Sequence, residues 1–423
     1  MRILKGVAIA VVVILVLAIV GIGGYLVFGK VATDQRQKAL EPFYTVPSPL
    51  PAGQPGELMR TEDLTGTFTL PTGAKAYRVL YRTENPDGSP RVSGGMVFVP
   101  AGQAPAGGRK VISWAHPTVG MGDACAPSRS KTPTGLLDWL PGMLERGWVV
   151  TATDYAGLGT PGPEFYLVGQ AETNDVVNAV RAARQVPGAD AGTQYGVFGH
   201  SQGGHAAMWA GALAPAYAPE LQLVGVAGAA PAAPLSNLVG QLWDQPVAWV
   251  IGAEVFVSYP DAYPGLDPSA VGTKAAMGGY QKLAQQCLID GILNGEVRDF
   301  AGQKFFSSDP MTNPAWAAAI TAQSTPPLPA TMPALVTESV NDGVVVPQSI
   351  AAMQQQWCAA GSTLQVDWLG PLRGTPEKVD VMSHMYEGAI GGALATTWFE
   401  DRFAGIPATT SCSQTPPLAL TTP

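Results

Sequence analysis

Apolar positions along most of this chain fall into two alternating rhythms. Short runs rich in β-branched and aromatic residues recur, among them Met96-Val97-Phe98-Val99, Val111-Ile112-Ser113-Trp114-Ala115 and Trp148-Val149-Val150-Thr151-Ala152-Thr153. Between them lie stretches with helical periodicity, around Gly135 to Arg146 and Glu172 to Gln185. The alternation continues with a strand at Thr193 to Phe198, a small-residue helix at Gly204 to Leu213 and a strand at Leu221 to Ala227. Short apolar strands alternating with helices predict an α/β fold, a mostly parallel sheet with helices on both faces. Earlier strand signals begin near Thr67, with Phe68, Leu70, Tyr77, Val79 and Tyr81, and Asn85-Pro86-Asp87-Gly88 reads as a hairpin turn.

The rhythm breaks at about Pro231. From there to about Pro329 the chain is rich in Trp, Tyr and Pro, with helices expected near Pro234 to Val250 and Thr273 to Leu293. It resumes with a strand at Ala334 to Val340, a helix from Pro347 to Ala360, a strand at Leu364 to Leu369 and a last helix from about Met385 to Phe403. The expected organisation is a core in two parts, 67–230 and 330–423, with a mainly helical cap inserted at 231–329. Residues 31–66 read as a stalk, with a short helix over Asp34 to Leu40 and then an extended stretch carrying five prolines from Pro42 to Pro55.

Within this frame Gly199-His200-Ser201-Gln202-Gly203 stands between a strand and a helix, the setting of a nucleophile elbow. Glycines flank the serine because a side chain there would collide with the neighbouring strand and helix. In such folds the acid and then the histidine follow the serine along the chain. The chain has four histidines, and of these His384 alone lies well downstream of Ser201. Asp342 sits just past the strand at Ala334 to Val340, where it would accept the Nδ1 proton of His384. Asp367 and Asp380 are the fallback acids. His200 and His205 read as neighbours of the elbow, since their spacing does not place two imidazoles on one helix face. No HExxH or clustered Cys/His pattern occurs, so neither metal nor cofactor is expected.

Charge narrows the picture. The net charge is −8 with 13% charged residues and no basic run, which gives nucleic acid no electrostatic footprint. At the front, Arg2 and Lys5 precede an uncharged apolar run from Gly6 to Phe28. At ~1.5 Å per residue that run reaches about 34 Å, enough to cross a bilayer. Residues 1–30 therefore read as a single-pass membrane anchor that leaves the body extracytoplasmic, with a cleaved signal and a secreted body as the alternative. Cys125, Cys287, Cys358 and Cys412 are even in number and lack CxxC spacing, which fits structural disulfides in three possible pairings.

Trp114-Ala115-His116-Pro117-Thr118, Cys125-Ala126-Pro127-Ser128, Thr153-Asp154-Tyr155-Ala156-Gly157-Leu158-Gly159-Thr160, the elbow, Asn341-Asp342-Gly343 and the His384 segment occur in that order. In this combination the chain, from roughly Thr67 to Cys412, resembles the secretory lipase family of α/β-hydrolases. The resemblance implies a triad at Ser201, Asp342 and His384, a mostly helical cap, and disulfides Cys125–Cys287 and Cys358–Cys412. One departure concerns the oxyanion hole. Pro117 follows His116 where related hydrolases often have glycine, and proline has no N–H to donate. One donor is then expected from the backbone of Gln202, the other from Thr118 or a later residue of that loop. Asp154 and Tyr155 stand at a strand end and are expected to stabilise a loop rather than line the site. The function that follows is extracytoplasmic hydrolysis of lipid or other hydrophobic esters. An acyltransferase or peptidase with the same triad, and a non-catalytic surface module of the same fold, are the alternatives. Oligomeric state leaves no mark in the sequence.

Overall fold

The computed structural model describes residues 33–133 and 135–418. The chain forms two units, 1–45 and 46–423. In the first, a helix (α1) covers 33–44 and includes the short helix expected there. The expected anchor at 1–30 lies outside the described residues; among these, no helix is long and apolar enough to cross a membrane.

The second unit is organised on one nine-stranded sheet, in the order β1-β2-β3-β5-β4-β6-β7-β8-β9. Its strands are β1 (Leu58–Asp63), β2 (Lys75–Glu84), β3 (Pro90–Val99), β4 (Arg109–Ala115), β5 (Val149–Thr153), β6 (Ala191–His200), β7 (Gln222–Ala229), β8 (Ala334–Ser339) and β9 (Leu364–Leu369). The pairings from β1 through β3 to β5 are antiparallel, and those from β5 through β4 to β9 are parallel. Strand residues alternate between two cores. Val197, Val226 and Val336 face one side, with α3 (Gly169–Ala183), α4 (Gln202–Tyr217) and α11 (Pro347–Ala359) over them. Phe198, Ala227 and Leu335 face the other, covered by α2 (Leu140–Glu145) and α12 (Val381–Phe403). Helices on both faces explain why the parallel strands read as nearly continuous apolar runs.

Two expectations at the front of this unit need correction. The segment read as a stalk contributes β1, an edge strand paired with β2; beyond Pro55 no proline interrupts the ladder until the strand has ended. Phe68 and Leu70, read as strand, lie in a connecting segment, where Phe68 is buried with its ring 5.6 Å from that of Phe98. The apolar signal there reports burial, not pairing. The hairpin turn forms as expected, with the Gly88 N–H donating to the Asn85 carbonyl at 2.9 Å.

Between β7 and β8 the chain is helical: α5 (Leu235–Leu242), α6 (Ala248–Ala262), α7 (Lys274–Met277), α8 (Tyr280–Ala284), α9 (Leu288–Phe300) and α10 (Pro314–Ala322). The two long helices expected here are broken. Pro246 has no N–H to continue the first, and α6 starts after it. Gly278-Gly279 and the extended Cys287 divide the second into three. These helices share an aromatic core of their own, in which Phe256 packs against Phe305, Phe306 and Trp316.

Candidate active site

Strand β6 ends at His200 and α4 begins at Gln202, so the whole turn rests on Ser201. Its backbone sits at φ 56° and ψ −117°, a conformation costly for a non-glycine residue and tolerated where the surroundings impose it. Those surroundings explain the flanking glycines. A Cβ at Gly199 would lie 2.0 Å from the Gly203 carbonyl oxygen, and one at Gly203 would lie 1.9 Å from that of Ala115. The second contact also presses the end of β4, and with it the segment His116 to Thr118, against the start of α4.

On the other side of the elbow, Asp342 lies in the turn after β8 and His384 in the first turn of α12. The helix starts at Val381, earlier than expected, because the Asp380 side chain caps it by accepting from the Met382 N–H at 2.7 Å. The Asp380 N–H also donates to the Asn341 carbonyl at 2.9 Å, which fastens the front of the helix to the β8 turn. His384 Nδ1 and Asp342 Oδ2 are 2.7 Å apart, and both residues are buried. Asp342 Oδ1 accepts from the N–H groups of Val344 and Val345 at 2.6 and 2.9 Å. Burial holds the Asp342 carboxyl well above its ordinary value, and these two amides, which favour the charged form, offset only part of that rise. Burial pushes the His384 imidazole below its ordinary value, which suits a base that must be neutral before it acts.

Ser201 and His384 open onto the same cavity of about 660 Å³, which Thr118 and His200 also line. A second pocket of about 100 Å³ starts at Ser201 and Gln202 and runs under the cap between Leu238, Ile251, Val255, Trp316 and Ile320. Gln202 is the first residue of α4, and the leading N–H groups of a helix have no intrahelical acceptor. Its side chain donates to Glu172 at 3.0 Å. Thr118 is buried, with its hydroxyl 2.7 Å from that of Tyr166.

The other polar residues singled out from the sequence sit elsewhere. Asp154 is buried and accepts from the Ser128 N–H at 2.8 Å and from the Ser128 hydroxyl, with burial raising its carboxyl to about 6. Tyr155 is buried at φ 63°, its ring 4.4 Å from that of His116. Asp367 lies on β9 and accepts from Gln365. His205, in α4, is paired with Glu172 of α3 at 2.6 Å. Sequence reasoning missed Glu172, Glu338 and Glu387. Each reads in the sequence as an ordinary polar position of its helix or strand, and each is buried. Cys125 is bonded to Cys287 and Cys358 to Cys412, the pairing implied by the resemblance.

A serine elbow at the C-terminal edge of a mostly parallel sheet, with helices on both faces and a helical insertion after β7, defines the α/β-hydrolase fold. Solved structures of that fold superpose on the chain. They include a rice cell wall degrading esterase from Xanthomonas oryzae, at TM-score 0.71 and 20% identity, covering 83% of this chain and all of the esterase. Candida antarctica lipase A in its closed state gives TM-score 0.67 at 17% identity, covering 89% of each chain. The family model for secretory lipases matches residues 136–411, and the chain belongs to that family. Among its relatives are a probable inactive lipase of Mycobacterium tuberculosis, 26% identical over 87% of this chain and 83% of the relative, and lipase A of Arthroderma benhamiae, 26% identical over 88% and 81%.

Proposed function

We propose that this protein is an extracytoplasmic serine esterase of lipase type, acting through Ser201, His384 and Asp342 on esters with a long apolar acyl group. The observation that carries the proposal is the His384–Asp342 contact at 2.7 Å beside a cavity shared with Ser201. In the first half-reaction Ser201 Oγ attacks the ester carbonyl while His384 Nε2 takes its proton. Asp342 holds Nδ1–H and steadies the imidazolium. The oxyanion would be met by the Gln202 N–H, with the Thr118 N–H as second donor; one such donor is worth about 10²–10³ in rate. The His384 proton then leaves with the alkoxide, and water, deprotonated by the same nitrogen, releases the acid from the acyl-enzyme.

Acyl preference follows from the pocket under the cap, whose lining is almost wholly apolar. Each methylene buried there is worth about 0.8 kcal/mol, or about fourfold in kcat/KM. A membrane-anchored body, as the sequence at 1–30 predicts, would place this site at the cell surface. Hydrolysis of p-nitrophenyl esters of rising acyl length, by the protein and by Ser201→Ala, tests the reading. Turnover that climbs with chain length and vanishes in the variant is the expected result. The Mycobacterium tuberculosis relative named as inactive gives weight to a second reading, a non-catalytic module. Failure of Ser201 to react with an alkyl phosphonate would favour that one.

A further inference from the structure

Behind Asp342 lies a group of acids that the triad does not use. Glu338 is in β8, and Glu387 follows His384 by less than a turn in α12. One carboxylate oxygen from each of Glu338, Asp342 and Glu387 falls within 4.8 Å of the others, and all three residues are fully buried. Their partners differ. Asp342 receives the N–H groups of Val344 and Val345 and the Nδ1 of His384. Glu387 Oε2 receives the Ser339 N–H at 2.9 Å. Both carboxylate oxygens of Glu338 lack any partner among the described residues.

We propose that Glu338 and Glu387 stand behind Asp342 as neutral carboxylic acids, a proton-holding pair that positions the triad acid and leaves it the one charged carboxyl of the cluster. A buried carboxylate without a donor or a counter-charge is among the costliest groups a protein can hold, and it takes up a proton instead. Burial first, then the Asp342 charge on both and the Glu387 charge on Glu338, push both carboxyls well above the ordinary range. Burial raises Asp342 too, but of the three it is the one with two backbone donors and a histidine to hold its charge. Facing them are Thr337 from β8, the Ala230 backbone after β7, and His384 from α12, with the His200 ring 4.6 Å from that of His384. None of these groups brings a compensating positive charge while His384 is neutral. A calcium ion would want about six to eight oxygen ligands, and both oxygens of Asp342 are already in use. Neutral glutamates also matter for the base. A second negative charge beside Asp342 would raise the proton affinity of His384 and leave it protonated when it should accept. That last step rests on the esterase reading; the proton count does not.

Unfolding of the full-length protein, Glu338→Gln and Glu387→Gln across about pH 5 to 8 decides the matter. The folded pair keeps protons that the unfolded chain releases. Stability is therefore fullest below the ordinary carboxylate range and falls as pH rises toward the folded values. The wild-type unfolding constant should climb by up to about tenfold per pH unit for each such group, and each glutamine variant should remove one group from that slope. Equal slopes in all three proteins would overturn the proposal. So would stabilisation of the wild type by calcium chloride, reversed by EDTA and absent in Glu338→Gln, which would put a cation in the cluster. Failure of both variants to fold would also overturn it, since glutamine is neutral and of nearly the same shape. In activity, the acid limb of kcat/KM should hold its position in Glu387→Gln, and a downward shift would mean that a charge had been removed. An inactive wild type would count against the esterase reading alone, and the unfolding slopes would still decide this one.

Discussion

Two histidine–carboxylate pairs stand near the elbow, one between α4 and α3 and one between α12 and the turn after β8, and their local chemistry is almost the same. His384 meets Asp342 at 2.7 Å and His205 meets Glu172 at 2.6 Å, each through Nδ1 and each buried. The difference lies at the other ring nitrogen. His205 Nε2 lies 2.8 Å from the Gln323 carbonyl, to which the Trp209 indole N–H also donates at 3.1 Å, so the ring ties α4 to the segment that follows α10. His384 lines the cavity that Ser201 also lines. A buried His–acid pair thus identifies a rigid imidazole, and the surroundings of the far nitrogen decide whether it does chemistry or carpentry.

The strongest way to break this comparison is to remove each ring in turn. His384→Ala should lower kcat by about 10⁴–10⁶, as for other triad histidines, while thermal unfolding shows the fold retained. Asp342→Asn should cost about 10⁴ by letting the ring take the wrong tautomer, measured as initial rate at saturating ester. His205→Ala should act on the other axis. Leaving Glu172 buried without its partner costs about 3–5 kcal/mol of stability, read from denaturant midpoints, with a much smaller loss of kcat per folded molecule. If His205→Ala were as inactive as His384→Ala and equally stable, the division between the pairs would fail. The mildest test is pH. His384 must be neutral to accept a proton, and burial holds its folded value below the ordinary 6.5. The kcat/KM profile should therefore reach half its maximum below pH 6.5 and stay flat above it.

The His384–Asp342 pair was legible in the sequence, whereas the His205–Glu172 pair was not. Ser201 is marked by glycines that the backbone contacts demand, and with few histidines downstream the choice of His384 was nearly forced. Asp342 follows from its place after a readable strand. His205 and Glu172 are separated by a strand and belong to two different helices, so no local spacing reports their meeting. Glu338 and Glu387 are hidden for a similar reason: each reads as a polar position on a strand or helix, and their proximity exists only once β8 and α12 have packed. The mostly parallel sheet with helices on both faces followed from the alternation of strands and helices, but its strand order, with β5 between β3 and β4, did not. The breaks in the cap helices at Pro246 and at Gly278-Gly279 had local signals that periodicity alone overrode, and β1 was masked by the prolines before it.

The Cys125–Cys287 bond has a mechanical consequence. It joins the loop after β4, which carries Thr118, to the base of α9 in the inserted helices. Beside it the Met121 N–H donates to the Ala284 carbonyl and the Leu288 N–H to the Val119 carbonyl, both at 2.8 Å. One covalent link and two flanking hydrogen bonds fasten the inserted helices to the sheet along that edge. The loop that carries Thr118 and the start of α9 are thereby riveted together, so neither can be displaced without dragging the other.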